Sequence, residues 1–292
     1  MYPPSLHAVV TYLRCPVCAG CLYLGAGRLA CDARHSFDVA RHGYVNLTDG
    51  RPGPGTADSA DMVAARDYYL GRGHYRPLAA AVRALAARYD PDVPGLVVDL
   101  AGGTGYYLAG VLDELPHRHG VCVDLSGAAL RRAARAHPLA AAIGANVWRP
   151  LPLAGGSAAL VLSVFGPRNA VETGRVLAPG GSLIIAVPGP GHLREIRGPL
   201  GMIGIDKRKQ RRLSASYREY SYRGETVVRY SLSLDHKDLA ALVSMGPSAR
   251  HVAPSMLAAS VRTLPSPVTV TADVRIKVFQ RPGVRSLRGQ RH

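Results

Sequence analysis

The sequence predicts an α/β fold, a Rossmann-like doubly wound parallel sheet behind a small N-terminal metal-stapled ribbon. Three observations carry the prediction. The run Leu96-Val97-Val98-Asp99-Leu100 turns abruptly into Ala101-Gly102-Gly103-Thr104-Gly105, strand-like and helical segments then alternate as far as residue 187, and four of the five cysteines fall between residues 15 and 31. An apolar β-branched run reads as an interior strand buried on both faces, and the glycines after it let a ligand meet bare backbone.

At 292 residues and 47% apolar composition, the chain has room for one large α/β domain and something small attached to it. It has no run of about 18 apolar residues and no charged-then-apolar leader, so a soluble, cytoplasmic protein with no membrane partner is expected. The formal net charge of +16 is large for a globular enzyme and points to a polyanionic partner. Lysine occurs only at positions 207, 209, 237 and 277. A coding bias explains that choice of Arg over Lys, but not the excess of bases over acids.

The first element in order is the ribbon. Cys15-Pro-Val-Cys18, twelve residues, Cys31, three residues and His35 reproduce the ligand spacing of a tetrahedral zinc site. Two short strand-like pieces around Gly25-Ala-Gly27 would present the two ligand pairs to one ion. A disulfide in an exported protein is the competing reading, and the missing leader argues against it. Four protein ligands leave no open position, so the zinc is structural, and the metal should be the main stabiliser of so short a segment. Cys21 points off such a knuckle, and Cys122 reads as a small core residue.

Next comes a packed turn over 37–47 and a flexible break at 51–56. A capped helix begins near Asp58 and Asp61 and stops at 71–73, and a second follows Pro77 over 78–88 with Leu78, Val82 and Leu85 on one face. Beyond it lie the strands 96–100, 120–125, 140–143, 159–164 and 182–187, with helices between them such as 126–136. The stretch 177–181 reads as a helix stop and turn before the fifth strand. Ligand-handling loops then belong at the carboxyl ends of the strands, which aligns Asp99, Asp124, Phe165 and His192 along one edge.

The glycine turn itself admits two readings. A nicotinamide or flavin fingerprint wants Gly-x-Gly-x-x-Gly, but the third position here is Leu108. Asp99 and Asp124, each ending a strand, instead suit a ligand with an ammonium group and a ribose diol. S-adenosylmethionine has both and carries no phosphate.

The carboxyl-terminal hundred residues carry the basic surface. Asp206-Lys-Arg-Lys-Gln-Arg-Arg212 is a candidate phosphate contact, and Tyr217-Arg-Glu-Tyr-Ser-Tyr-Arg223 interleaves aromatics with charge; a solvated helix face is the plainer reading of the basic run. The stretch 266–280 reads as the closing strand, and 283–292 as a basic disordered tail.

Taken together, Cys15-Pro-Val-Cys18, Cys31-x3-His35-Ser-Phe-Asp, Gly43-Tyr-Val-Asn-Leu, Asp58-Ser-Ala-Asp61-Met-Val-x-Ala-Arg66, Gly73-His-Tyr-x-Pro77, Gly105-Tyr-Tyr and Pro188-Gly-Pro-x-His192-Leu resemble the zinc-ribbon 23S ribosomal RNA (guanine-N1) methyltransferases. That family includes self-resistance enzymes of macrolide-producing actinomycetes. The resemblance covers nearly the whole chain. It implies a class I methyltransferase sheet, one structural zinc on Cys15, Cys18, Cys31 and His35, and S-adenosylmethionine contacts from Tyr75, Gly103, Thr104 and His192. The sheet argument adds Asp99 and Asp124, and the glycine turn adds Gly105. The implied partner is a 23S rRNA hairpin, the implied role is macrolide resistance, and a homodimer is left open.

The sequence departs from the family at Ala101-Gly-Gly-Thr-Gly105, where relatives carry Gly-Cys-Gly-Glu-Gly, and at Phe165-Gly-Pro, where they tend to have Tyr-Ala-Pro. Candidates to handle the proton on guanine N1 are Asp58 and Asp61, and Phe165 and Tyr75 are candidates to stack on the base. The implied organisation is an RNA-recognising ribbon (1–47), a linker and cofactor lid helix (48–80), the methyltransferase domain (81–281) and a basic tail (282–292). Two other classes fit parts of the pattern. A natural-product methyltransferase would need neither the ribbon nor the charge, and a non-catalytic RNA-binding protein would need no cofactor.

Overall fold

The computed structural model describes residues 3–50, 57–202, 204, 215–251 and 253–283. The break at 51–56, the basic run 206–212 and the tail from 284 onward lie outside the described residues.

The N-terminal segment opens with helix α1 (Pro4–Val9) and a three-stranded antiparallel ribbon, β1 (Tyr23–Gly25), β2 (Arg28–Ala30) and β3 (Ser36–Asp38). The third strand was expected as a packed turn. The chain then contributes β4 (Val45–Asn46) to the main sheet, in parallel with β7 (Ala140–Gly144).

The main sheet also holds β5 (Leu96–Leu100), β6 (Gly120–Asp124), β8 (Ala158–Val164), β9 (Leu177–Pro188), β10 (Ser221–Leu234) and β11 (Val268–Gln280), in the order β10-β11-β9-β8-β5-β6-β7-β4. From β4 to β9 every neighbour is parallel, whereas β11 and β10 return antiparallel. Strand order reverses at β5, between β6 and β8, which is where α/β sheets open a ligand crevice. The turn expected at 177–181 is absorbed into β9, where the register jumps from Ala158↔Leu177 to Leu160↔Ser182. Strand β10 was not anticipated as an element.

Helices α2 (Ala60–Gly71), α3 (Arg76–Arg88), α4 (Tyr106–Glu114), α5 (Gly127–Ala133), α6 (Ala170–Val176), α7 (Arg194–Arg197), α8 (His236–Ser244) and α9 (Pro254–Arg262), with short 3-10 turns at Val10–Tyr12 and Pro247–Arg250, complete the described elements. Their starts follow local chemistry. Ser59 caps α2 by accepting from the Met62 N–H at 3.2 Å, and Ser126 caps α5, which is shorter than the 126–136 expected.

Successive residues of β5 face opposite sides of the sheet. Val97 packs in the core with Leu78, Val82 and Leu108, while Leu96, Val98 and Leu100 pack with Leu6, Val9, Leu13, Leu22 and Leu29. The ribbon's apolar side chains therefore share a core with the sheet. Hydrophobic burial supports the ribbon alongside any metal, an extra source of stability beyond the zinc expected to dominate. No helix among the described residues is long and apolar enough to cross a membrane.

Candidate cofactor cleft and zinc centre

The ribbon brings Cys15, Cys18, Cys31 and His35 together, with all four ligand atoms within 4.8 Å of one another. Cys18 Sγ lies 3.7 Å from Cys31 Sγ, and His35 Nδ1 lies 3.6 Å from Cys15 Sγ and 3.4 Å from Cys31 Sγ. Tetrahedral zinc with bonds of about 2.0 to 2.3 Å sets its ligands about 3.5 to 3.8 Å apart, which these three contacts match, so the four ligand atoms need only draw slightly closer as a group to hold the ion. The knuckle is closed by the Ala19 N–H donating to the Cys15 carbonyl at 2.8 Å, with Ala19 at φ +59°. Cys21 is exposed and outside the group, and Cys122 is fully buried in β6.

A cleft of about 1030 Å³ runs along the carboxyl ends of the parallel strands. Asp58, Tyr75, Asp99, Gly103, Thr104, Asp124, Phe165 and His192 all line it. Asp61 and Gly105 do not. Asp61 is exposed on the first turn of α2, and Gly105 (φ +79°) caps α4 against Ala133, whose Cα would lie 3.2 Å from a Cβ there.

At the glycine turn the backbone is held by the neighbouring strand end. The Gly103 N–H donates to Asp124 Oδ2 at 2.9 Å, and the Ser126 N–H donates to Asp124 Oδ1 at 2.8 Å. Asp99 is 1% exposed, and its Oδ2 has no hydrogen-bond partner among the described residues. Burial, with the Asp124 charge beside it, pushes the Asp99 carboxyl up to about 8. A Cβ at Gly102 would lie 2.7 Å from both Asp99 Oδ2 and Cys122 Sγ, so only glycine fits. An unpartnered buried acceptor beside a side-chain-free cradle fits S-adenosylmethionine, whose ammonium and ribose hydroxyls are donors.

The α2 side of the cleft is pinned by charge. Asp58 Oδ2 meets Arg66 Nη1 at 2.5 Å and its Oδ1 meets Arg250 Nη2 at 3.2 Å, while Arg66 Nη2 donates to the Met245 carbonyl at 2.7 Å. Both carboxylate oxygens of Asp58 face guanidinium groups, an arrangement for holding α2 against the C-terminal helices rather than for taking a proton.

The far wall is aromatic. Ring centroids run from Tyr69 to Tyr75 (5.2 Å), on to Phe165 (6.0 Å) and to His192 (5.8 Å, stacked). Phe165 sits at φ +57°, a strained conformation that turns the chain sharply as it leaves β8. His192 Nδ1 accepts from the Asp273 N–H at 3.2 Å, and burial lowers the imidazole to about 4, so it is neutral with Nε2 protonated.

Sequence reasoning missed Asp273, Trp148 and Arg168. Asp273 is fully buried in β11; its Oδ2 accepts from the Gly191 N–H at 2.8 Å and pairs with Arg229 at 3.0 Å, which anchors the loop bearing His192. Trp148 and Arg168 line the cleft, on loops after β7 and β8. The one usable signal was the lone tryptophan beside arginine in Val147-Trp-Arg149.

A cleft of this form, at the switch point of a sheet with this strand order and joined to a closed Cys3His ribbon, defines the chain as an S-adenosylmethionine-dependent methyltransferase with one structural zinc. Residues 13–48 match the family model described as RlmA, N-terminal, a zinc ribbon. The chain is 44% identical over 272 residues to the 23S rRNA (guanine(748)-N(1))-methyltransferase of Streptomyces fradiae, covering 92% of this chain and 97% of that one. It is also 44% identical over 290 residues to a Micromonospora griseorubida protein provisionally named a 23S rRNA (guanine-N(1)-)-methyltransferase, covering 93% and 98%. Among solved structures, a Bacillus halodurans protein provisionally assigned as a methyltransferase shares the fold, with a TM-score of 0.50 at 13% identity over 70% of this chain and 98% of that one. The chain belongs to the family of zinc-ribbon 23S rRNA (guanine-N1)-methyltransferases.

Proposed function

We propose that the chain methylates N1 of one guanine in a 23S rRNA hairpin, in the cytoplasm, and that this modification protects its host from macrolides. The observation that carries the reading is the joint presence of the zinc ribbon and the cofactor cleft in a chain similar over more than nine tenths of its length to the Streptomyces fradiae enzyme. The net charge of +16 suits a phosphate-rich partner.

Bound S-adenosylmethionine supplies an electrophilic methyl carbon on a sulfonium. The chain's own task is alignment and exclusion of water. Asp99, Asp124 and the Gly102-Gly103 backbone hold the donor's polar groups, and Tyr75 and His192 close over it. N1 lies on the Watson–Crick edge, so the target base must leave its stack. Two aromatic faces are open to receive bases, Phe165 at 37% and Trp148 at 57% exposure. In this reading residues 1–47 grip the RNA, 48–80 form the lid and 81–281 carry the chemistry.

The test is methylation of 23S transcripts trimmed to single hairpins, with macrolide susceptibility of a sensitive host expressing the chain. One hairpin should suffice as substrate and expression should raise the tolerated drug concentration. Methylation that needs the whole ribosome would remove the hairpin claim, and unchanged susceptibility would remove the resistance claim. Light scattering of the purified chain decides whether it is a monomer or a homodimer.

A further inference from the structure

We propose that Arg168 binds O6 of the target guanine and holds the negative charge that develops there as N1 loses its proton. The inference rests on the guanine-N1 reading above and deepens it. Among the described residues four arginines line the cleft, and three of them are engaged: Arg66 and Arg250 with Asp58, and Arg197 with the Pro190 carbonyl at 3.0 Å. Arg168 has no ion pair and no hydrogen bond among the described residues. It is half-buried three residues beyond Phe165, on the turn leaving β8, and burial lowers its guanidinium from the ordinary value. A partly desolvated cation without a counter-ion, beside an open aromatic face, is a site built for an anion or a charge that appears during reaction.

The chemistry favours such a group because, apart from exposed His251, the acids and the histidine that line the cleft among the described residues are engaged or buried. Asp58 has both oxygens on guanidinium groups, and Asp124 has both on backbone N–H groups. Asp99 lies under the glycine turn, and His192 stays neutral down to about 4 with Nδ1 already accepting. The balanced step is therefore loss of the N1 proton to solvent water, with the electron pair delocalised onto O6. N1 then bonds to the methyl carbon as the carbon–sulfur bond breaks, its electron pair staying on the neutral sulfur. A guanidinium on O6 lowers the cost of the first event. Phe165 assists by stacking, since it carries no phenolic hydroxyl.

The test is the pH dependence of kcat for Arg168→Gln and Arg168→Lys, with Kd for S-adenosylmethionine and KM for RNA measured alongside. Asp99, raised to about 8, Asp124, His192, His251 and the Asp58–Arg66–Arg250 cluster also face the cleft and are left in place by both substitutions, while Tyr217, whose hydroxyl the Arg168 charge lowers, moves further up in Arg168→Gln and is controlled for by Arg168→Lys. Only the difference between profiles therefore reports on Arg168. Arg168→Gln should lose roughly 10² in kcat at neutral pH, the scale of removing one charge-stabilising donor, and recover most of it as pH rises. Arg168→Lys should recover part of the loss at neutral pH, and the cofactor Kd should be unchanged in both. A loss of kcat equal at every pH, or a loss confined to KM for RNA, would overturn the assignment and leave Arg168 a packing residue or a phosphate contact. Absence of 1-methylguanosine from the wild-type reaction would instead overturn the guanine-N1 reading, and this inference with it.

Discussion

The backbone N–H of Asp273 donates to Nδ1 of His192, so the last sheet strand but one dictates which nitrogen of a cleft histidine carries the proton. The same aspartate holds the Gly191 N–H and Arg229, and it leaves no room for a side chain at Gly189, where a Cβ would lie 2.5 Å from Oδ1. The sheet and the 189–192 loop are locked together at this point.

Asp273→Ala should therefore weaken S-adenosylmethionine binding roughly tenfold, about 1.4 kcal/mol, by freeing the loop that presents His192. Isothermal titration checks this. An unchanged Kd accompanied by a lower Tm would mean that the carboxylate serves stability alone.

Asp99 gives a pH signature. Its folded pKa is raised to about 8 against an unfolded value of about 3.9. The native state therefore holds a proton that the unfolded chain has released, so its contribution is fully present below about 4 and is lost as pH rises toward 8. In the cofactor-free protein, Asp99→Asn should flatten the fall of Tm between pH 5 and 9 and exceed the wild type at the alkaline end. Parallel Tm curves for the two proteins would contradict the assignment.

Gly102→Ala tests the cradle. The added methyl meets a buried carboxylate and a buried thiol rather than a flexible chain end, so the turn must move. Stability should fall by about 1–3 kcal/mol, with cofactor affinity lost by more than tenfold. Gly71→Ala, where nothing lies within 4 Å, is the matched control and should change little.

Zinc removal separates the two halves. Chelation or Cys15→Ala should release one zinc per chain and lower the Tm, since structural zinc is worth on the order of 10 kcal/mol in isolated small modules. Because Leu13, Leu22 and Leu29 share a core with Leu96 and Val98, the loss should be partial, and S-adenosylmethionine should still bind. RNA methylation should be abolished. Metal content by atomic emission, with cofactor titration, reads both.

The sheet was legible because its central strands are short apolar runs between glycine and proline punctuation, and a buried parallel strand leaves that mark. Asp99 and Asp124 were found for the same reason, as acids ending such runs. Strand β10 was not found. Over Ser221–Tyr230 it mixes charges (Arg223, Glu225, Arg229) with tyrosines (Tyr222, Tyr230), a composition that a solvent-facing edge strand shares with an RNA contact. Asp273 was invisible because a charge inside an alternating strand reads as a surface position. Only the docking of Gly189 and Gly191 onto it buries it. Gly105 was read with its neighbours because a glycine turn does not say which of its members faces the ligand, and here Gly105 faces α5. Arg168 and Trp148 belong to loops that the strands bring together, and no local periodicity records that meeting.

The most direct test of the account is transfer of labelled methyl from S-adenosylmethionine to unmodified 23S RNA, followed by nucleoside analysis of the product. The account predicts 1-methylguanosine at a single position, and its loss in Cys15→Ala. Unlabelled RNA in the presence of a methylated small-molecule acceptor, or label on any atom other than guanine N1, would contradict it.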